Sequence, residues 1–361
     1  HALSHPFNHD SPREALMTRK IVLSTFALLS ALALSGIAAH AAENFYAGKT
    51  VRIMVAYSPG GGFDAYSRLL ARHLPRHIPG NPTVVVQNRP GAGGLITANF
   101  IYNKAKPDGL TIGHWVGGLI LQQYLGNKKV RFDAAKMGWI GAPVRITNVC
   151  MTHKKSGVVD LATWRAAKQP VKFGGSQPGS TLWDIPRILI AHTDLPMRLI
   201  EGYGGTAPVR VAAEKGEVAG VCASWEGLKN PWAAQLASGD VRVLAQFVDK
   251  PHSELAGIPL TNDVIKSDVG RQVMNIVIRD IGGALNRPYS LPPGTPKDRL
   301  MVLRRAFDAT MKDPELLAEA KKSRFPITPV SGEDVDKLVA GVAGLQPELL
   351  ATIKKTFAPK K

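Results

Sequence analysis

The sequence predicts an α/β protein of two domains, in which sheets are flanked by helices. From residue 50 onward, short apolar runs of strand character alternate with glycine-rich loops and helical segments, an order typical of sheets with helices on both faces. A second series of this kind follows residues 146–152, and the apolar run 241–247 then returns towards the first domain. We therefore expect one domain from 42–148 plus 247–361 and another from 149–246.

The first unit of the first series is the most informative. Residues 51–57 form an apolar run, and a loop with three consecutive glycines at 60–62 follows it. Apolar residues then recur at helical spacing, namely Tyr66, Leu69, Leu70 and Leu74. Strand, glycine loop and helix therefore follow one another. Glycine lets the backbone approach a ligand closely, and the N-terminus of the helix favours an anion.

The later units repeat this order. In the first domain, strands at 83–87 and 110–114 precede helices at 95–104 and near 125. In the second, strands at 171–174, 197–200 and 218–223 each precede a loop and a helix. This alternation predicts mostly parallel strands, with ligands bound beyond their carboxyl ends.

The C-terminal region is predicted to be mainly helical. Residues 275–286 look like a strand, Pro296 opens a helix to Met311, and another helix starts at Asp313. Ser331 is the expected N-cap of the last helix, with Asp334 in the N3 position of an arrangement similar to a capping box.

The N-terminus has the features of an export signal. Residues 17–20 are a positively charged n-region, 21–37 are apolar, and Ala39-His40-Ala41 matches a signal-peptidase site. The alternative is a transmembrane anchor, but a basic stop-transfer flank is missing. We expect residues 1–41 to be leader and cleaved signal peptide, and the protein to be periplasmic.

Charge and cysteine content leave some classes open. The net charge of +17 indicates acidic ligands, acidic partners or anionic surfaces. The basic residues are scattered without a nucleic-acid-binding motif, so we expect no nucleic acid partner. A disulfide between Cys150 and Cys222 is permitted in the periplasm. The sequence does not show that the two thiols meet, and we favour two buried free thiols.

Motifs for catalysis, phosphate binding or metal binding are incomplete. Residues 48–50 imitate the end of a P-loop without its first glycine, and Ile96 replaces the third glycine of a dinucleotide fingerprint. His73 and His77 lack the intervening glutamate of a zincin motif. Ser176, His114 and Asp64 can be grouped as a triad only on paper, since no spacing supports it. We therefore expect no enzyme activity, no cofactor and no metal.

The predicted loops share small residues, hydroxyl groups and helix starts, as at Ser58, Gly60–Gly62, Ser176, Ser180 and Thr206. Their N–H and O–H groups can bind carboxylate oxygens without a catalytic base. One such loop is an ordinary strand-to-helix turn. Several of them on two domains favour a binding cleft.

Long stretches resemble one known family. VRIMVAYSPGGGFDAYSRLLA, VVVQNRPGAGGLITANFI, KPDGLTIG, IEGYGGTAPVRVAAEKGEVAGVCA and LPPGTPKDRLMVLRRAFDATMKD, in this order, are similar to Bug-type solute-binding proteins of tripartite tricarboxylate transporters. The resemblance implies a two-lobed, hinged periplasmic binding fold of type II, with mixed sheets flanked by helices. Ligand binding would close the lobes and signal occupancy to a membrane permease.

The resemblance also indicates where the ligand binds. The loop from Ser58 to Asp64 would clamp a carboxylate through main-chain amides and water, and the loops at 175–181 and 203–206 would face it. Asp64 matches an acidic position of the family; it either binds water or a polar ligand group, or is the helix N-cap, which we favour. Phe63, Trp115, Trp183 and Trp225 either suit the cleft to an aromatic carboxylate or, for Trp183 and Trp225 especially, belong to the core. The candidate ligand-binding residues are Ser58, Pro59, Gly60, Gly61, Gly62, Phe63, Asp64, Trp115, Ser176, Gln177, Ser180, Thr181, Tyr203, Gly204, Thr206 and Trp225.

Some residues depart from the family pattern. Phe63 stands where many members carry a small polar residue, and Gly175, Gln177 and Trp183 replace a serine, a glycine and a histidine of the second-lobe motif. These departures concern the ligand and leave the fold unaffected. We expect a monomeric receptor for a small di-, tri- or aromatic carboxylate that serves a transporter; a receptor for a sensor kinase and an exported hydrolase are the alternatives.

Overall fold

The computed structural model describes residues 45–176 and 178–358. The predicted signal segment and Gln177 lie outside this part. Within it, the strands form two separate β-sheets that are flanked by helices, so the predicted α/β class is confirmed. No helix in these residues is both long and apolar enough to cross a membrane.

The strands are numbered in chain order. They are β1 (Thr50–Val55), β2 (Thr83–Asn88), β3 (Thr111–His114), β4 (Gly138–Ala142), β5 (Asn148–His153), β6 (Val171–Gly174), β7 (Met197–Ile200), β8 (Gly220–Ser224), β9 (Val241–Gln246), β10 (Tyr289–Leu291) and β11 (Val330–Ser331).

The α-helices are numbered in the same way. They are α1 (Gly62–His73), α2 (Leu95–Asn103), α3 (Gly118–Tyr124), α4 (Leu161–Arg165), α5 (Thr181–His192), α6 (Thr206–Lys215), α7 (Trp225–Leu228), α8 (Ala233–Ser238), α9 (Thr261–Val264), α10 (Asp268–Met274), α11 (Lys297–Thr310), α12 (Pro314–Lys322), α13 (Gly332–Ala343) and α14 (Pro347–Phe357). A π-helix, Asn275–Ala284, continues α10.

Both sheets mix parallel and antiparallel strands. The first has the order β11-β4-β10-β3-β1-β2 and the second β7-β6-β8-β5-β9. The strands that precede glycine-rich loops pair in parallel, as β1 does with β2 and β3, and β6 with β7 and β8. The remaining pairings are antiparallel. The expectation of mostly parallel strands is therefore wrong. Short strands such as β10, which pairs antiparallel with both neighbours, lie between loops and are not recognisable in the sequence.

Strand β1 is buried on both faces of the first sheet. Val51, Ile53 and Val55 point into one apolar cluster, whereas Met54 points into another. This period of two follows from strand geometry and explains why the run contains few polar residues. The strand thereby holds the following glycine loop on a rigid base.

The strand expected at 275–286 is instead the π-helix Asn275–Ala284. Its β-branched residues suggested a strand, but Val277, Ile278 and Ile281 are buried at helical spacing. The segment packs against β5 and α5 on the side of the second sheet, and against α3 and α13 on the side of the first. It therefore connects the cores that lie against the two sheets.

The C-terminal helices follow the prediction with one addition. The side chain of Ser331 accepts a hydrogen bond from the Asp334 N–H at 3.1 Å, so it caps α13 as expected. The expectation that this helix is the last is wrong, since α14 follows it. Pro347 begins α14, where a missing N–H has no cost.

The first sheet takes its strands from residues 50–142 and 289–331, and the second from residues 148–246. We retain the division into lobe 1 (42–148 plus 247–361) and lobe 2 (149–246) as a proposal.

Cys150 and Cys222 form a disulfide, so the expectation of two free thiols is wrong. The two residues are direct partners in the antiparallel pair of β5 and β8, and their Cα atoms are 4.0 Å apart. Adjacent strands bring opposite side chains this close wherever the pair lacks mutual backbone hydrogen bonds. The spacing of 72 residues in the sequence conceals this contact.

We expect the paired replacement Cys150→Ala plus Cys222→Ala to lower the free energy of unfolding by about 2–4 kcal/mol, because the bridge restricts the unfolded chain. Denaturant unfolding with and without reductant measures the effect. Reductant should destabilise the wild type and leave the paired variant unchanged. Two reactive thiols in the unreduced, unfolded wild type would contradict the pairing.

Candidate ligand-binding site

A cavity of about 490 Å³ lies between the two sheets. Cavities of this size accommodate small-molecule ligands. Elements of the first sheet, elements of the second, the π-helix and α14 all contribute to its wall. The lining residues are Tyr57, Phe63, Ala92, Gly93, Val116, Gly118, Leu119, Leu121, Gln122, Leu125, Asn127, Pro178, Gly179, Ser180, Thr181, Trp183, Asp184, Val277, Ile281, Gly282, Asn286 and Phe357.

The glycine loop adjoins this cavity at its rim, and residues 58–62 are not themselves among the lining residues. Residues 58–62 are exposed, while the flanking Tyr57 and Phe63 line the cavity, with their ring centres 4.4 Å apart. Gly60 has a φ of +84°, a conformation that favours glycine. Gly61 has an extended backbone, and a Cβ there would be 3.8 Å from the Ser58 carbonyl oxygen, an ordinary contact.

Asp64 holds the glycine loop in place. Its Oδ2 accepts hydrogen bonds from the Gly60 N–H at 2.8 Å and from the Arg68 Nε at 2.9 Å. Its Oδ1 accepts one from the Asn88 Nδ2 at 2.9 Å, and the same amide nitrogen donates to the Tyr57 carbonyl. The N-cap of α1 is Gly61, so the expectation that Asp64 is the N-cap is wrong. Its carboxylate instead reaches back from the first turn of the helix to the N–H of Gly60, the residue before the N-cap.

These bonds favour the ionised form of Asp64. The hydrogen bond from Arg68, supported by those from Gly60 and Asn88, lowers the pKa of Asp64 to about 2 although burial opposes the charge. The carboxylate is 2% exposed. It is therefore a charged part of the scaffold that supports the loop.

A buried polar cluster lies behind Phe63. His114 Nδ1 and the Ser67 hydroxyl are 2.7 Å apart, and the Tyr289 ring stacks on the imidazole at 4.1 Å. Burial lowers the pKa of His114 well below its usual value. His114 and Ser67 are both completely buried. His114 thus forms a hydrogen bond with Ser67, and Asp64 bonds to the glycine loop. A triad of Ser176, His114 and Asp64 is therefore not formed.

A guanidinium group lies beside the glycine loop. Arg287 stands 5.2 Å from the ring centres of both Phe63 and Tyr66, and its Nη2 would be 2.9 Å from a Cβ at Gly62. It forms no ion pair with any residue of 45–176 or 178–358. Burial lowers the pKa of Arg287 from its normal value, and the side chain supplies positive potential at this end of the cavity.

The loop after β6 forms the opposite wall. Pro178, Gly179, Ser180 and Thr181 line the cavity, and the hydroxyl groups of Ser176 and Ser180 are 2.6 Å apart. Ser176 itself is outside the lining. Gln177 lies outside the described residues.

The loop before α6 lies outside the lining of this cavity. Tyr203 donates its N–H to the Gly175 carbonyl at 3.1 Å, and Thr206 is the first residue of α6. Tyr203, Gly204 and Thr206 do not line the cavity.

The tryptophans separate into wall and core. Trp183 lines the cavity, donates its Nε1–H to Glu201 at 2.8 Å and packs near Phe357. Trp115 is completely buried and donates to the Ser290 hydroxyl at 2.9 Å. Trp225 is 7% exposed and donates to Glu254 at 2.6 Å. Neither Trp115 nor Trp225 lines this cavity, and their part in ligand binding stays a prediction.

Asp184, which was not predicted from the sequence, lines the cavity from α5. Its Oδ1 accepts the Gly179 N–H at 3.0 Å, and burial raises the pKa of Asp184 to about 7. A local signal was present: Gly179 precedes Asp184 in the second loop much as Gly60 precedes Asp64 in the first. The missed residues of α3 and the π-helix, Leu121 and Ile281 among them, carried no motif.

The family model described as the tripartite tricarboxylate transporter family receptor, TctC, matches residues 68–344. This chain belongs to that family. Protein BugT of Bordetella pertussis is 41% identical over 236 residues, which cover 63% of this chain and 69% of BugT.

Solved structures similar to this chain share its two-lobed fold. A ligand-free TctC solute-binding protein from Polaromonas has a TM-score of 0.67 and 19% identity, covering 86% of this chain and 98% of that one. A Rhodopseudomonas palustris protein with adipate has a TM-score of 0.60 and 20% identity, covering 85% and 97%. MatC from the same organism, with bound malate, has 0.59 and 16%, covering 85% and 98%.

We expect Asp64→Asn to lower the free energy of unfolding by about 1–3 kcal/mol, because buried donors lose their charged acceptor. Folding depresses the pKa of Asp64, so its stabilisation is complete above the unfolded pKa, near 4. The difference between wild type and variant should therefore shrink as the pH falls from about 4 to about 2. Unfolding curves at several pH values measure it.

The matched control is Asp298→Asn in the first turn of α11, where the side chain is exposed. It should change stability by less than about 0.5 kcal/mol. An equal effect of both substitutions would contradict a specific role of Asp64 in the loop.

Proposed function

We propose that this TctC-family receptor binds a small carboxylate in the cavity between its sheets and delivers it to the membrane components of a tripartite tricarboxylate transporter. The observation that carries the proposal is the glycine loop at the cavity rim, at the N-terminus of α1 and beside Arg287, which has no ion-pair partner among the described residues. Free N–H groups at a helix start and a nearby guanidinium both attract a carboxylate.

The relatives support carboxylates as the class to test. Two neighbours in the fold contain malate and adipate. At 16% and 20% identity to this chain, these neighbours support the fold alone. The ligand of this chain has to be inferred from its own residues. We propose that the lobes close on the ligand, bringing residues 58–62 and the loop at Tyr203–Thr206 towards it. The expected site residues remain proposals on this basis.

We propose that the protein is a monomeric, non-catalytic receptor of the periplasm. The family description is that of a receptor. The Ser67–His114 pair, which could suggest nucleophilic chemistry, is sealed from the cavity by Phe63 and is completely buried. A carboxylate bound by amides and a guanidinium needs no nucleophile.

A thermal-shift screen of the purified receptor against mono-, di-, tri- and aromatic carboxylates tests the proposal. A ligand at about 100 times its dissociation constant adds roughly 2.7 kcal/mol of stability, which raises the melting temperature by several degrees. The protein is first unfolded and refolded to remove carried-over ligand. If no carboxylate shifts the melting temperature, the assignment to carboxylates is wrong.

Gly61→Phe locates the site. The fold tolerates a side chain there, since the backbone is extended and the space open, but a ring at the rim would block the loop from the ligand. We expect at least a tenfold loss of affinity with little loss of stability. Gly341→Phe, at an exposed glycine of α13 with open space around it, is the control and should bind normally.

A further inference from the structure

The charge on the cavity wall is negative. Among the lining residues of 45–176 and 178–358, Asp184 is the only charged side chain, and lysine, arginine and histidine do not occur. The rest of the wall is mainly apolar, with Leu119, Leu121, Trp183 and Ile281 as examples. A second carboxylate of a ligand would therefore meet no cation on this wall.

Asp184 itself lacks compensation for its charge. Its carboxyl accepts the Gly179 N–H, and no cationic side chain among the described residues forms an ion pair with it. Arg187, one turn along the same helix, donates instead to the carbonyls of Thr356 and Ala358 and lies 5.2 Å from the Trp183 ring. The Asp184 side chain is 9% exposed and lines the cavity. An acceptor in this position is open to a ligand.

Asp184 and Asp64 lie in similar surroundings but have different hydrogen-bond partners. Both carboxylates follow a glycine-rich loop at the start of a helix and accept an N–H from that loop. Asp64 has Arg68 and Asn88 as further donors, and its pKa is low. Asp184 has neither kind of partner, and burial raises its pKa to about 7. Environments that shift the pKa values of two similar carboxyl groups in opposite directions indicate different tasks for the two groups.

This inference rests on the proposed function. We propose that Asp184 determines which class of carboxylate is bound. The ligand has an apolar body with one carboxylate and, at its other end, a hydrogen-bond donor or an ammonium group. The carboxylate lies towards the glycine loop and Arg287. The donor or ammonium group meets Asp184 from the opposite wall. A second carboxylate at that end is rejected, because it would share a poorly hydrated site with the Asp184 charge.

Two matched series of ligands test this. The aliphatic series is hexanoate, 6-aminohexanoate and adipate; the aromatic series is 4-methylbenzoate, 4-(aminomethyl)benzoate and terephthalate. Each series keeps one carboxylate and changes the far group from methyl to ammonium to carboxylate. Affinities are measured by calorimetry at pH 8, where most Asp184 side chains are ionised. We expect the amino acid of at least one series to bind at least tenfold more tightly than its dicarboxylate.

Asp184→Asn keeps the shape and the acceptor for Gly179 and removes the charge. We expect it to reduce the preference for the amino acid over the dicarboxylate to threefold or less. Asp194→Asn, an exposed position after α5, is the control and should keep the wild-type ratio. If Asp184→Asn does not fold, the wild-type ratio decides.

The outcomes separate this inference from the receptor proposal. A dicarboxylate that binds the wild type as tightly as the amino acid, or a ratio unchanged in Asp184→Asn, would leave a carboxylate receptor and overturn the role of Asp184. If no compound of either series binds and the wider carboxylate screen is also negative, the proposed function fails and this inference fails with it.

Discussion

The packing of one helical segment between two sheets determines the form of the site. The π-helix Asn275–Ala284 contacts β5 and α5 on one side and α3 and α13 on the other. Gly282 shows how close this packing is, because a Cβ there would come within 3.2 Å of the Thr181 methyl group. The same segment presents Val277 and Ile281 to the cavity. π-Helical geometry is rare and occurs frequently at functional sites, and here it forms a wall where the two halves of the protein meet.

Two carboxylates on opposite walls then divide structural and recognition tasks. Asp64 is saturated by Gly60, Arg68 and Asn88, and so stabilises a loop whose own residues remain free for a ligand. Asp184 lies in the first turn of the helix on the other side and has one main-chain donor. Because the first is fully bonded and the second is not, the cavity has a firm rim near Arg287 and an acceptor facing it.

The sequence predicted those features that depend on neighbours along the chain. The apolar run at residues 51–57 and the glycines that follow predicted strand, loop and helix in the first unit, and Ser331 predicted a helix cap. It failed where short elements were involved, such as β10, and where β-branched residues formed a helix, as in Asn275–Ala284. In those segments tertiary packing decides the local structure, because apolar residues suit a buried helix and a buried strand equally.

The family and the order of the loops followed from the sequence alone, since glycines and helix starts act over a few residues and leave a readable pattern. The tertiary structure decided which side chains meet. It joined Cys150 to Cys222 across two strands, buried Trp115 and Trp225 in the core, and placed Asp184 on the cavity wall and Arg287 beside Phe63. Such contacts join residues far apart in the chain. Their distances depend on strand register and helix packing, which the spacing of residues in the sequence does not determine.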